Sequence, residues 1–467
     1  MKFFDAVSPF DSRYYGADER FYSKVHDFLS EEASIRYFAR VEAALANTLA
    51  QYGLCSAAVA EEIARACEQI TASEVYAEEA RIQHNIRALV NCIRQKVSQP
   101  ARGSVHLFAT SNDIMDTGAA LRYKEFVRKV LLPDLIELIR NLAKLAQDSA
   151  GTIQMGRTHG QHAEPITFGY AVALYVSRLG NRVEKLFATS EGLYGKFAGP
   201  VGAHNALQLA IGNRVLDFER DLLARLGLQP SPTGISSQIV EQEPLTDLAY
   251  SAISTFGILA NFADDMRQLY RTEIAEVKEK FQPDRVGSST MPHKVNPKDF
   301  ENVKSLWKAY SPRFMTVLMD QISEHQRDLT NSASGRYLAE LFGATDYAIY
   351  RTNNVVAQLQ FDADKMMRNL EMSRDAIVAE PLYIILGLHG CPDPYDLSKK
   401  LVNASKQSGK KMTELLASDP QIQPYYAKFT REERELMDHP ERYTGNSESG
   451  AKQTCSFWLD RLGKLKI

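Results

Sequence analysis

Two adjacent serine hydroxyls, then an imidazole, ammonium groups, an amide and carboxylates follow one another in Gly287-Ser288-Ser289-Thr290-Met291-Pro292-His293-Lys294-Val295-Asn296-Pro297 and the succeeding Lys298-Asp299-Phe300-Glu301. Turn formers at this density argue for a loop rather than regular structure. Such a loop presents side chains and backbone N–H groups together. Gly287 lets the backbone approach a ligand closely, Lys294 and neighbouring N–H groups stabilise negative charge developing on a substrate, and Ser289 is a base or a nucleophile. An ordinary solvated turn has no need of Met291 and Val295 among its polar groups.

A second stretch, Gly156-Arg157-Thr158-His159-Gly160-Gln161-His162-Ala163-Glu164-Pro165, brings two histidines and a glutamate close in sequence. Their spacing is not the i, i+4 pair of a zinc helix, and Gly160 and Pro165 argue for a loop, so no metal is expected. Three further segments gather charged and polar groups: Arg81-Ile82-Gln83-His84-Asn85, Val105-His106-Leu107-Phe108-Ala109-Thr110-Ser111-Asn112-Asp113, and Glu324-His325-Gln326-Arg327-Asp328 running on to Ser332 and Arg336. Ser111-Asn112-Asp113 also reads as a helix cap, a role that is compatible with ligand binding.

The run from Gly287 to Pro297 resembles the GSSxMPxKxNP signature of the fumarase/aspartase superfamily, whose members break C–N or C–O bonds to release fumarate. His293 is similar to its adenylosuccinate lyase branch, and a muconate cycloisomerase branch shares much of the same loop. The resemblance implies Ser289 as the base, with Lys294 and Asn296 stabilising the doubly charged intermediate. Ser288 and Met291 are implied as substrate contacts. Glu301 is implied as the carboxylate that orients the acid histidine. The 156–165 stretch resembles the GRTHGQxAxP motif of adenylosuccinate lyases, which makes His159 the acid and Thr158 a binding residue. Histidine suits proton transfer because its unperturbed pKa lies near neutrality.

Further substrate contacts follow from the same resemblance. Arg13 and Tyr14 are similar to an Arg-Tyr pair on the nucleotide phosphate, and His84 heads a helix in a segment where the branch carries His-Asp. Here Asn85 replaces the aspartate, and an amide does not orient a neighbouring cation as a carboxylate does. His106, Thr110 and Ser111 match a substrate-binding helix mouth, and Gln238 matches an amide contact. Arg327, Ser332 and Arg336 keep the spacing of an anion-binding segment, and guanidinium groups suit a dianionic head group. The implied substrate is a succinylated purine nucleotide. In such tetramers each site is assembled from three chains. Other lyases or cycloisomerases of the superfamily are the nearest alternative, followed by a non-catalytic structural relative.

Long helices must position these groups. Leu135, Leu138, Leu142 and Leu145 alternate steps of three and four, and steps of three and four recur at Leu248, Ala252, Phe256, Leu259, Ala263, Met266 and Tyr270. The second set has apolar residues on another side at Ile253, Ile258 and Phe262, and Phe168 to Leu179 carries little charge, so these helices read as buried on most sides. Pro133 marks a kink or a helix start. A bundle that continues across subunits, and hence a homo-oligomer, is the expectation. The expected class is all-α, a three-domain fumarase/aspartase-like fold whose central long-helix bundle forms a tetrameric core. Its boundaries fall at 1–105, 106–365 and 366–467.

The 467 residues carry 44% hydrophobic and 24% charged side chains with a formal net charge of −3, a composition that supplies no basic field for nucleic acid. Five scattered cysteines without CxxC spacing favour neither a disulfide framework nor zinc, and point to a reducing, cytoplasmic setting. No apolar run approaches the length of a membrane span. No phosphate loop, nucleotide-cofactor motif or internal repeat stands out, so no cofactor is expected.

Overall fold

Helix start signals near the N-terminus act as their chemistry dictates. Ser30 accepts the Ala33 N–H at 3.1 Å ahead of α1 (Glu31–Gln51), and Ser56 accepts the Val59 N–H at 3.3 Å ahead of α2 (Ala57–Glu68). Before α3 (Ala72–Ile82), Thr71 and Glu74 exchange backbone and side-chain bonds in a reciprocal cap. The computed structural model describes residues 7–279 and 290–465. Helix α4 (Asn85–Gln95) completes a first apolar core in which Ile35, Val41, Ile63, Leu89, Ile93 and Ile114 are buried together.

The long helices follow. α5 (Ser111–Phe126) runs through a wider π turn at Val127–Leu131 into α6 (Leu132–Asp148). Pro133 sits at the start of α6, where its missing N–H costs little, and the wide turn before it accommodates the ring. Leu135 and Leu138 are fully buried, so the leucine seam faces the interior. A two-stranded antiparallel hairpin, β1 (Ile153–Thr158) and β2 (Gln161–Thr167), leads into α7 (Phe168–Glu191). This hairpin corrects the expectation of a loop at 156–165: only His159 and Gly160 form the turn, and Pro165 pairs opposite Met155 in the strand.

Helix α8 (Val215–Arg225) and the 27-residue α9 (Glu243–Leu269) lead to a short strand β3 (Val277–Glu279), which pairs with β4 (Leu359–Phe361). Between them lie α10 (Lys298–Tyr310) and α11 (Leu338–Val356), which packs on α6, α9 and α10. Leu248, Ala252, Phe256 and Ala263 of α9 are fully buried, and so is Phe262 on its other side at 1% exposure. Burial is not complete around these helices, however: Tyr170 and Leu174 on α7 and Tyr250 on α9 are about half exposed on the single chain.

A third core gathers Val378, Leu382, Leu401, Leu416, Phe429 and Met437 around α12 (Ala379–Leu388) and α13 (Pro394–Ser408). The final helix, α14 (Ser447–Gly463), returns to the bundle, with Trp458 against α7. Contact there is so close that a Cβ on Gly180 would stand 2.3 Å from the Trp458 ring. Among the described residues the fold is all-α apart from two small sheets, and no helix is long and apolar enough to cross a membrane.

Candidate active site

The mouth of α5 is the best-built part of the site. Thr110 caps it, and the carboxylate of Asp113 accepts the Thr110 N–H at 2.8 Å. Asp113 is fully buried and also accepts the Ala198 N–H at 3.0 Å, the Gly199 N–H at 3.2 Å and the ammonium of the buried Lys196. A buried carboxylate satisfied on this scale fixes its helix end rigidly. Thr110 and Ser111 are thereby held at a helix N-terminus, where unpaired N–H groups and the dipole attract anions.

His106 lies just before this mouth, with Nδ1 2.6 Å from Oε1 of Glu42 on α1, a carboxylate only 1% exposed. Burial opposes the imidazolium, but the Glu42 carboxylate outweighs it and the pKa of His106 rises above its ordinary value. One turn further along α5, Asp116 accepts the Val240 N–H at 3.0 Å. Burial pushes its pKa up to about 6, against the Val240 hydrogen bond and the cations of Lys196 and Arg327.

The loop carrying Gln238 closes on the same mouth. Its N–H donates to the Gln326 carbonyl at 3.4 Å, which places Gln238 beside the Arg327 segment. Gly202, at φ +75°, lets the 199–204 loop approach so closely that a Cβ there would stand 2.0 Å from the Ser236 carbonyl oxygen. On the other side His84 caps α4, its Nδ1 accepting the Arg87 N–H at 3.3 Å. The residue after it, Asn85, approaches Met115 Sδ at 3.2 Å, which links α4 to α5. One chain therefore brings His84, Asn85, His106, Thr110, Ser111, Gln238 and Arg327 into one neighbourhood.

The remaining candidates are placed by other segments. Thr158 and His159 are exposed at the hairpin tip. Arg13 and Tyr14 lie in a π turn at Phe10–Tyr15, with the Tyr14 ring 5.3 Å from that of Tyr347 and Arg13 exposed. Ser332 and Arg336 are exposed in and after the 320s loop, and Arg336 faces Tyr76 of α3 electrostatically. Met291 and Lys294 are exposed, and the Lys294 N–H closes a turn on the Met291 carbonyl at 3.0 Å. Asn296 is half-buried ahead of α10, and Glu301 is exposed in that helix's first turn. Gly287, Ser288 and Ser289 lie outside the described residues. Among the described residues of one chain, no hydrogen bond or ion pair joins His159 to Lys294 or Glu301.

Sequence reasoning missed Glu42, Asp116 and Lys196. Asp116 lay inside a segment already rich in polar groups; Glu42 and Lys196 gave no signal, because their partners are distant in sequence. A backbone feature was also invisible. Non-glycine residues with positive φ include Gln83, His106, Phe108, His159 and His325. All stand in or beside the segments quoted above, and strain of this kind concentrates at functional sites. Among the described residues no group of His, Cys, Asp and Glu could hold a metal ion.

Residues 11–308 match the family model described as lyase, and residues 323–436 match the adenylosuccinate lyase C-terminal model. The chain is 33% identical to the adenylosuccinate lyase of Pyrococcus horikoshii, over 97% of this chain and 98% of that protein. It is likewise 33% identical to the adenylosuccinate lyase of Methanothermobacter thermautotrophicus, over 87% and 90% of the two chains. Its fold is similar to that of the 3-carboxy-cis,cis-muconate lactonizing enzyme of Pseudomonas putida, with a TM-score of 0.81 over 97% of this chain and 99% of that one. A third of all positions shared along almost the whole length, together with both family models, means that this chain belongs to the adenylosuccinate lyase family of C–N lyases.

Proposed function

We propose that this enzyme eliminates fumarate from adenylosuccinate to give AMP, and from the succinylated carboxamide ribotide to give its free carboxamide. The near-full-length similarity to adenylosuccinate lyases carries this reading. The helix mouth at Thr110 and Ser111, bordered by His84, His106 and Arg327, supports it as a place for an anionic substrate.

The reaction removes a weakly acidic C–H proton next to a carboxylate while the leaving nitrogen gains a proton. Ser289 takes the first proton and His159 supplies the second. An unassisted serine is too weak a base near neutrality, so water must be excluded and its alkoxide stabilised as the loop closes. The doubly charged intermediate is met by Lys294, Asn296 and loop N–H groups, each such donor being worth about 3 kcal/mol. Glu301 orients His159 from another subunit. Arg13, Tyr14, Arg327, Ser332 and Arg336 hold the phosphate and carboxylates, while Ser288, Met291, Thr158, Gln238, His84 and Asn85 complete the pocket.

A cytoplasmic homotetramer with sites shared among chains is part of the same proposal. Half-exposed Tyr170, Leu174 and Tyr250 on the bundle helices support an association that covers them. So does the lack, among the described residues of one chain, of any hydrogen bond or ion pair between His159 and Lys294. The three-part division at 105 and 365 is supported by the distinct apolar cores in the first and last thirds, with α14 rejoining the bundle.

A specific observation also favours a related succinylated amine as substrate: Asn85 spends its side chain on Met115 and on the Ile86 N–H instead of presenting a carboxylate. Ultraviolet assay of the purified protein with adenylosuccinate, argininosuccinate, aspartate and malate separates the readings. Turnover of argininosuccinate or aspartate but not adenylosuccinate overturns the main one.

A further inference from the structure

The hairpin that carries His159 is anchored through one carboxylate. Glu276 is fully buried, and each of its oxygens accepts two hydrogen bonds. Oε1 takes Arg157 Nη2 at 2.6 Å and Asn369 Nδ2 at 2.8 Å, while Oε2 takes Gln154 Nε2 at 2.8 Å and Arg157 Nη1 at 3.3 Å. These bonds use the full accepting capacity of a carboxylate, so the group is saturated by protein and holds no ligand. Its backbone is fixed as well. The Glu276 N–H donates to the Leu269 carbonyl at the end of α9 at 2.9 Å, and its carbonyl accepts the Asp362 N–H at 2.9 Å, just past β4. Ala275 before it stands at φ +54°, a left-handed conformation that a Cβ makes costly, so the chain is strained at the point where it aims this side chain inward.

An irregularity in the hairpin serves the same contact. Gln154 and Arg157 are three positions apart, an odd step that sends side chains to opposite faces of a regular strand. Between them the register slips by one residue: Met155 faces Pro165, whereas Arg157 faces His162. Bulges of this kind bend the strands and increase their twist, which lets both side chains reach the one carboxylate. Gly156 sits at the slip, where a Cβ would stand 2.6 Å from the Glu164 carbonyl oxygen. On the opposite strand, His162 Nδ1 lies 2.8 Å from the Ser373 hydroxyl. Arg157 and His162 therefore face each other across the hairpin, both tied down, with only Thr158, His159, Gly160 and Gln161 beyond them. Asn369 and Ser373 belong to the helix Ala363–Glu371 and the turn after it, so both strands are tied to one support.

A buried ion pair is weak evidence for stability, since well-packed apolar residues of similar size often do as well; what they do not fix is direction. A guanidinium meeting both oxygens of a carboxylate defines one orientation. We propose that Glu276 and Arg157 are positioning residues that set the orientation of the His159 turn, so that its imidazole meets the leaving nitrogen in line for proton transfer. This role rests on the reading of His159 as the acid. Neither side chain is among the candidate substrate contacts, and both act through the turn they hold. A displacement of about 1 Å at a reacting group can cost about 100-fold in rate, which gives so distant an anchor its leverage.

Glu276→Gln keeps the shape but turns one accepting oxygen into a donor, which then meets the donors already there. Arg157→Lys keeps the charge and loses the fork, and it carries the same test if the first variant fails to fold. In each, hydrogen exchange of the full-length protein should quicken within residues 153–167. Turnover of adenylosuccinate should show kcat lowered about 10- to 100-fold, with KM within about twofold of wild type. A second expectation separates positioning from a general loss of structure. In a His159→Gln background the anchor substitution lowers kcat no further, because the group it positions is gone. Effects of the two substitutions that multiply overturn the proposal. So do a wild-type kcat in both anchor variants and a rise in KM with kcat unchanged. If His159→Gln alone retains the wild-type kcat, the acid reading fails and exchange decides the anchor: quickened exchange at 153–167 upholds it, and unchanged exchange removes it.

Discussion

Oε1 of Glu42 and Nδ1 of His106, 64 positions apart in the chain, meet at 2.6 Å beside the mouth of α5. Glu42 is sealed from solvent and His106 stands at φ +63°, so a strained histidine is held by a buried carboxylate. This couples the N-terminal core to the site.

Replacing Glu42 by Gln should lower the pKa of His106, because the charge that favours the imidazolium is gone while the desolvation remains. A fall of one unit corresponds to about 1.4 kcal/mol. His106 has a raised folded-state value, so the pair's contribution is fully present below the ordinary histidine value and is lost as pH rises through the folded one. Urea unfolding should therefore show the largest difference between wild type and variant in acid, shrinking as pH rises. NMR titration of the imidazole checks the shift directly.

Lys196→Met leaves the Asp113 carboxylate buried with backbone donors alone, and breaking a buried pair in this way costs about 3–5 kcal/mol. The variant should unfold at lower denaturant. It should also bind substrate more weakly, because Asp113 fixes the Thr110 N–H. Asp113→Asn, which keeps the shape, should bind better than Asp113→Ala in isothermal titration; equal loss in both would mean that charge, not acceptor geometry, holds the helix mouth.

Asp116→Asn addresses the carboxyl whose pKa reaches about 6. Because the folded chain holds this proton more tightly, wild-type stability decreases as pH rises from about 4 through about 6. The amide variant lacks that slope. Thermal melts at intervals across this window give the answer, and parallel slopes would remove Asp116 from the account.

Gly202→Ala meets two obstacles at once. Its φ of +75° costs an alanine about 1–2 kcal/mol, and the new Cβ collides with the Ser236 carbonyl. The Ser236–Gln238 loop must then shift, so KM should rise more than kcat falls in a steady-state assay.

Ser289→Ala should leave folding and assembly intact and nearly abolish turnover. If sites are shared among chains, dissociating and reassembling this variant with His159→Gln should restore activity in mixed oligomers, since some sites then receive an intact copy of each residue. Continued inactivity of verified mixed oligomers would place both residues of each site on one chain.

Much of this enzyme was legible in its residues. The leucine seam at 135–145 and the apolar ladder at 248–266 reported buried helices because helical periodicity and burial share one geometry. The Gly287–Pro297 and Gly156–Pro165 runs identified the chemistry through their order of side chains. The hairpin at 153–167 was misread, because Gly160 and Pro165 suggest a loop while the pairing that makes it a strand depends on register across its turn.

The order of residues by itself determined the family and the all-helical class, since these follow from local periodicity and short motifs. Only the tertiary structure decided that Glu42 grips His106 and that Lys196 and the 198–199 backbone converge on Asp113. Each of those partners lies far along the chain, and a carboxylate acquires its protonation state from the burial and neighbours that folding assembles around it.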